Sequence, residues 1–130
     1  MSKSAVSRNA VLNAQFHNAA YQITALYVSL HSGDPGTAGA NELTAADGYA
    51  RQSGATWTPN PVTAGTVSNS STVTFGPAGV TDWAQATYFG LWDAPSGGNY
   101  VRGGLLTVPK TVQAGDSAAF APGAMVSTET

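Results

Sequence analysis

His31, Asp34, Glu42 and Asp47 fall within one short stretch, HSGDPGTAGANELTAAD. An imidazole and three carboxylates so close together are the residue types that bind a metal or move protons. A calcium loop places oxygen ligands at alternating positions, as in D-x-[DN]-x-[DN]-G, and this stretch lacks that pattern. A zinc site needs several His or Cys ligands, and the chain has two histidines, His17 and His31, and no cysteine. The stretch therefore reads as a shaped loop. Asp34 opens the turn through its side chain, and Glu42 or His31 ties the loop to a sheet edge. The competing reading, a small metal-dependent hydrolase, requires His31, Asp34 and Glu42 to converge.

Other catalytic patterns are no better supported. Serines are many, but no G-x-S-x-G elbow is present. A triad would have to use one of the two histidines, and His17 lies in a helical segment beside Phe16. The seven acidic residues offer no pair in a recognisable acid–base context. No catalytic residue, metal ligand or cofactor-binding residue is assigned.

The elements around the loop follow from the residue pattern. Residues 4–20 read as a helix: Ser4 can cap it, alanine is frequent, and Leu12 and Phe16 lie four apart on one face. Such a helix would cover one open side of a sheet. ITALYVSLH then alternates, with Leu26, Val28 and Leu30 on one side and Thr24, Tyr27, Ser29 and His31 off it, which predicts a half-buried strand. GDPG breaks it. Short strands follow in GYARQS (Tyr49 and Arg51 on one face), with ATWT as its continuation before the PNP break, then TVSNSSTVTF (Val73 and Phe75 on one face), ATYFGLWD, GLLTV, SAAFA and GAMVSTE. DAPSGGN reads as a hairpin loop. Pro109 removes a ladder donor, so its strand belongs at an edge or begins at Lys110. The fold class expected is mainly β: an antiparallel β-sandwich or jelly roll with one N-terminal α-helix. A single domain over 1–130 is expected, with the helix at 4–20 and the β body at 23–130.

Aromatic residues offer another kind of chemistry. Trp57, Trp83 and Trp92, with Tyr21, Tyr27, Tyr49, Tyr88 and Tyr100, could form a sugar-stacking platform. Core or interface packing is the commoner use. Phe89 and Trp92 lie on opposite faces of one strand, so the helix, a partner subunit or solvent must cover one face. Trp57, beside TPNP, is read as a loop residue and an interface anchor. The NSS at 69–71 matches a glycosylation pattern but carries no weight.

Composition points to partners. Charged residues make up 9% of the 130 residues, 5 basic against 7 acidic, where an ordinary soluble domain carries about 25%. No basic patch suits nucleic acid. No apolar run approaches a membrane span, and the N-terminus does not read as a signal peptide. A surface so poor in charge suits a protein that works in an assembly, since interface cores are depleted in charge.

The order of segments adds a resemblance. A short helix precedes LYVSLHSGDPG, then GANEL, GYARQ, TVTFGPA, DWAQATYFGLWDAPSGGN and GGLLTVPKTVQAGD. This co-linear run, about Leu12 to Met125, resembles small virion proteins of tailed bacteriophages described as tail-fibre-like or minor tail proteins; related small β folds also occur as head decoration proteins. The resemblance implies a non-enzymatic virion component, assembled in the host cytoplasm and released by lysis. It would dock on the major capsid or tail-tube protein as a decoration, cement or minor tail subunit and meet sister copies in a homo-oligomer around a threefold axis. The alternative is a receptor- or glycan-binding module at a fibre tip, recognising a host surface glycan. Contacts are expected near Arg8, Phe16 and Trp57.

Overall fold

Ser4 caps the first helix. In the computed structural model, which describes residues 3–18, 20, 23, 25–59 and 65–128, the Ser4 hydroxyl accepts from the Ser7 N–H at 3.0 Å. Helix α1 follows over Ala5–Phe16. It ends earlier than expected: His17 is its C-cap, with its N–H on the Asn13 carbonyl, and Asn18 is left-handed at φ 51°. Asparagine tolerates that conformation and commonly terminates helices. Ala19, Tyr21, Gln22 and Thr24 lie outside the described residues.

The body is β, antiparallel throughout. In chain order the strands are β1 (Tyr27–His31), β2 (Trp57–Pro59), β3 (Thr66–Asn69), β4 (Val73–Phe75), β5 (Ala86–Trp92), β6 (Tyr100–Lys110), β7 (Ala118–Phe120) and β8 (Val126–Thr128). They form three small sheets, ordered β1-β5-β6, β2-β3-β8 and β4-β7. The mainly β body with one N-terminal helix agrees with the sequence pattern. DAPSGGN is the hairpin loop between β5 and β6, which pair from Trp92–Tyr100 outward. Pro109 lies in β6, an outer strand of its sheet, where a missing donor costs little.

Two expected strands differ. GYARQS makes only a single bridge, Gln52 to Val28, because positive φ at Gly48 and Gly54 turns the chain at both ends and Tyr49 and Arg51 fold onto Glu42 instead. TVSNSSTVTF splits into β3 and β4, in different sheets. The buried Asn69 side chain makes the break: its amide donates to the Ser71 and Ala121 carbonyls at 2.9 and 3.0 Å, and its Oδ1 accepts from Met125 N–H at 3.0 Å. That amide is 2% exposed, which leaves the NSS pattern no accessible acceptor.

The main core lies between the sheets, built on Val28, Leu30, Phe75, Phe89, Phe120 and Met125. Phe75 is stacked with Tyr49 and meets the Phe120 ring edge-on, at 6.1 and 5.9 Å between centroids. The correction that matters most concerns β1. Ser29 and His31, placed by alternation on an exposed side, are buried completely. The sheet β1-β5-β6 is covered on both faces, and its second cover is the chain's own loop 32–41, held against Trp92. Gly39 makes this possible, because a Cβ there would run into the Trp92 ring. Phe89 thus enters the main core while Trp92 enters this smaller one.

Candidate functional site

The loop that drew attention in the sequence closes over a chain of hydrogen bonds. Trp92 Nε1–H donates to Ser29 Oγ at 2.9 Å, Ser29 Oγ lies 2.7 Å from His31 Nε2, and His31 Nδ1 lies 2.6 Å from the Ala40 carbonyl. A carbonyl can only accept, so Nδ1 carries the proton. Nε2 of the neutral ring is then the acceptor, and the Ser29 hydroxyl donates to it. Burial lowers the His31 pKa, and the Arg51 charge adds to this against the opposing pull of the Ala40 carbonyl and Glu42. A serine hydroxyl on a neutral histidine is the geometry of a nucleophile and its base. Here both side chains are fully buried, with no room for a substrate, and the hydroxyl is already engaged by Trp92. The pair anchors the loop.

The second cluster centres on Arg51. Its guanidinium meets Glu42 through two bonds, Nε to Oε2 at 2.9 Å and Nη2 to Oε1 at 2.8 Å. Nη1 donates to the Ala94 and Gly97 carbonyls, each at 2.9 Å, and the group lies 3.8 Å from the Trp92 ring centroid. Tyr49 completes it: its hydroxyl donates to Glu42 Oε2 at 2.8 Å and accepts from Leu30 N–H at 3.0 Å. The ion pair is enclosed, with side chains 7% and 6% exposed. Burial acts to raise the Glu42 pKa, but the hydrogen bonds from Arg51 and Tyr49 and the Arg51 charge together lower it. Burial, with the nearby carboxylate, pushes the Tyr49 phenol far up. These residues fasten the β1–β2 connection to the β5–β6 hairpin.

Asp34, Glu42 and His31 therefore turn to separate tasks. Asp34 Oδ1 accepts from Gly36 N–H at 2.8 Å, the side-chain turn expected of it. Glu42 and His31 both tie the loop down, through ladder bridge His31–Glu42 and the bonds above. Asp47 Oδ2 accepts from Val80 N–H at 2.8 Å, at a different loop. Among the described residues no three His, Cys, Asp or Glu side chains are grouped to hold a metal ion, and no helix is long and apolar enough to cross a membrane.

The residues expected at contacts take three different positions. Arg8 is exposed on α1, its Nη1 donating to the Lys3 carbonyl at 2.6 Å. Phe16 is 77% exposed and Leu12 51%, so the apolar pair on α1 faces outward. The helix turns Ser7 inward, with Ala10, Val11 and Ala14 half-buried. The reason is close approach: Ser4 N–H bonds the Val101 carbonyl at 3.1 Å, which draws the helix start in against β6. That small-residue spacing, Ser7, Ala10 and Ala14, was the legible signal for the inward face. Trp57, read as a loop residue, is instead the first residue of β2 and half-buried, stacked on Phe89 at 6.0 Å. Its Nε1 is buried and has no hydrogen-bond partner among the described residues. Among the described aromatics Phe16 alone is exposed, and Tyr27, Tyr49, Trp57 and Tyr88 are half-buried.

The geometry thus leaves sealed polar clusters inside and an apolar helix face outside. No curated protein sequence matches the chain. A family model does, over residues 2–128, nearly the whole length. That family is described as podophage GP4 fiber I protein gp80, a structural fibre component of a bacteriophage particle. The tightly fastened β body with an outward-facing helix is, on this match, a phage fibre protein: the chain belongs to the podophage GP4 fiber I protein gp80 family.

Proposed function

We propose that the chain acts without catalysis, as a subunit that docks on the major capsid or tail-tube surface of the particle and associates with its own copies there, in the manner of a minor tail or decoration protein. Assembly takes place in the host cytoplasm. The observation that carries this reading is the orientation of α1. A helix with one charged residue, Arg8, turns Val6, Leu12 and Phe16 to solvent at 57%, 51% and 77% exposure. Exposed large apolar side chains grouped on one element mark interaction surfaces. The enclosure of Ser29, His31, Glu42 and Arg51 supports the same reading, since the groups that carry chemistry are consumed in holding loops.

The test is the position of the chain in the intact particle. Density maps of purified particles made with and without it are subtracted. The proposal expects difference density on the shell or tail, with the outer face of α1 covered. Purified particles that contain no copy of the chain would overturn it.

A further inference from the structure

The outward face of α1 carries a cation and no acid. Arg8, Leu12 and Phe16 share it, and AVSRNAVLNAQF holds no carboxylate. Two such faces meeting around a twofold axis would bury Arg8 with no acid from either helix to receive it, which is costly. The partner surface must therefore supply apolar area and negative charge together.

Such a surface lies at the other end of the same molecule. Val80 is 89% exposed at the tip of a loop fastened by acidic residues. Asp47 Oδ2 accepts from Val80 N–H at 2.8 Å. Asp82 Oδ1 accepts from Ala114 N–H at 2.8 Å, and the Asp116 carbonyl accepts from Ala78 N–H at 2.8 Å. The three carboxylates are exposed around Val80, and each hydrogen bond leaves the aspartate charge in place. Lys110, at the nearby end of β6, is drawn onto the Phe120 ring, 5.8 Å from its centroid.

β6 separates the two surfaces. The start of α1 bonds Val101, and Trp83 of the Val80 loop bonds Val112 through its N–H at 2.8 Å. Along the partner strand β5 this separation runs from Leu91, opposite Arg102, to Ala86, opposite Lys110, with an irregularity in β6 between them, which is about 17 Å at roughly 3.3 Å per residue. Within one copy Phe16 and Val80 stay 77% and 89% exposed, so neither face covers the other. A second copy can join them.

We infer that copies associate head to tail, the Arg8–Leu12–Phe16 face of α1 in one copy seating on the Val80 loop of the next. This rests on the reading of the chain as an assembling subunit. A contact between unlike surfaces closes into a ring or continues as a filament, so it accommodates a threefold arrangement.

Two substitutions at exposed positions test it: Phe16→Glu places an acid against the acidic loop, and Val80→Lys places a cation against Arg8. Both sites are solvent-exposed, so the folded state is retained, and matching melting curves check this. Sedimentation of the wild-type chain across a concentration series is expected to show species larger than a dimer or a closed ring, weakening with added salt. Each variant alone is expected to be monomeric. An equal mixture is expected to form a one-to-one dimer and nothing larger, because one competent helix face and one competent loop remain. A wild-type chain that stays monomeric overturns the inference. So does a Val80→Lys variant that associates like wild type, or a mixture that stays monomeric while wild type associates. Failure here with the chain present in purified particles refutes the head-to-tail contact alone; head-to-tail association by a chain absent from particles refutes the proposed function alone.

Discussion

Arg51→Ala removes a side chain that makes four hydrogen bonds and packs on the Trp92 ring. Glu42 would remain, its side chain 6% exposed, with one hydrogen bond from Tyr49 and no cation. Breaking an enclosed ion pair from one side costs about 3–5 kcal/mol, since the surviving charge is left buried. The Ala94 and Gly97 carbonyls lose their donor as well, and the Trp92 face loses a cation worth about 0.5–2 kcal/mol. For a chain of this length, about 3–4 °C of melting temperature accompanies each kcal/mol, so the melt should fall by about 10–20 °C. The assay is thermal and urea unfolding of wild type, Arg51→Ala, Glu42→Gln and the double variant. Glu42→Gln alone leaves the guanidinium poorly paired, and the double variant should be less destabilised than the two single losses summed, because neither leaves its partner charge behind. A loss below about 1 kcal/mol for Arg51→Ala, the value of an exposed pair, would refute the idea that this cluster fastens the hairpin.

Other consequences follow from the same interior. The His31 pKa is lowered in the folded chain, so the unfolded chain binds the proton more readily. Stability is then fully present above the ordinary histidine value near pH 6.5 and falls as pH drops from there toward the folded value. The Glu42 pKa is also lowered, so a further loss sets in as pH falls through the carboxylate range. Urea midpoints from pH 8 to pH 4 should show both phases, and His31→Gln should remove the first; an unchanged slope between pH 7 and pH 5 would count against a buried neutral ring. Gly90→Ala would place a methyl 2.6 Å from Ser29 Oγ and 2.7 Å from His31 Nε2. Overpacking of this kind costs about 1–3 kcal/mol, read as a lower denaturation midpoint, and a neutral effect would mean the Ser29–His31 contact is loose.

The parts of the fold that rest on neighbouring residues were visible in the sequence. Ser4 as a cap, the turn at Asp34, the DAPSGGN hairpin and the opposed faces of Phe89 and Trp92 all follow from residue type or from period two. What escaped rests on segments far apart in the chain. Alternation places Ser29 and His31 away from the Val28 side correctly, but nothing local reveals that loop 32–41 folds back to bury them. Arg51 and Glu42 are separated by irregular chain with no period, so their pairing has no signature beyond opposite charge. On α1 the spacing of Leu12 and Phe16 suggests an inward stripe. The backbone bond from Ser4 to Val101 decides otherwise, because it draws Ser7 inward, with Ala10, Val11 and Ala14 behind it. Trp57 illustrates the same limit: proline nearby suggested a loop, while pairing with Asn69 across β2 and β3 made it a strand residue.

The central claim is that the outer face of α1 is covered when this subunit assembles on the particle. Its most direct test is incorporation. Particles assembled with a Leu12→Glu, Phe16→Glu chain are purified, and the copies per particle are counted by quantitative mass spectrometry beside wild type. The claim predicts a chain that melts like wild type in isolation yet is depleted at least tenfold from the particle. Wild-type copy number with the altered helix would contradict it.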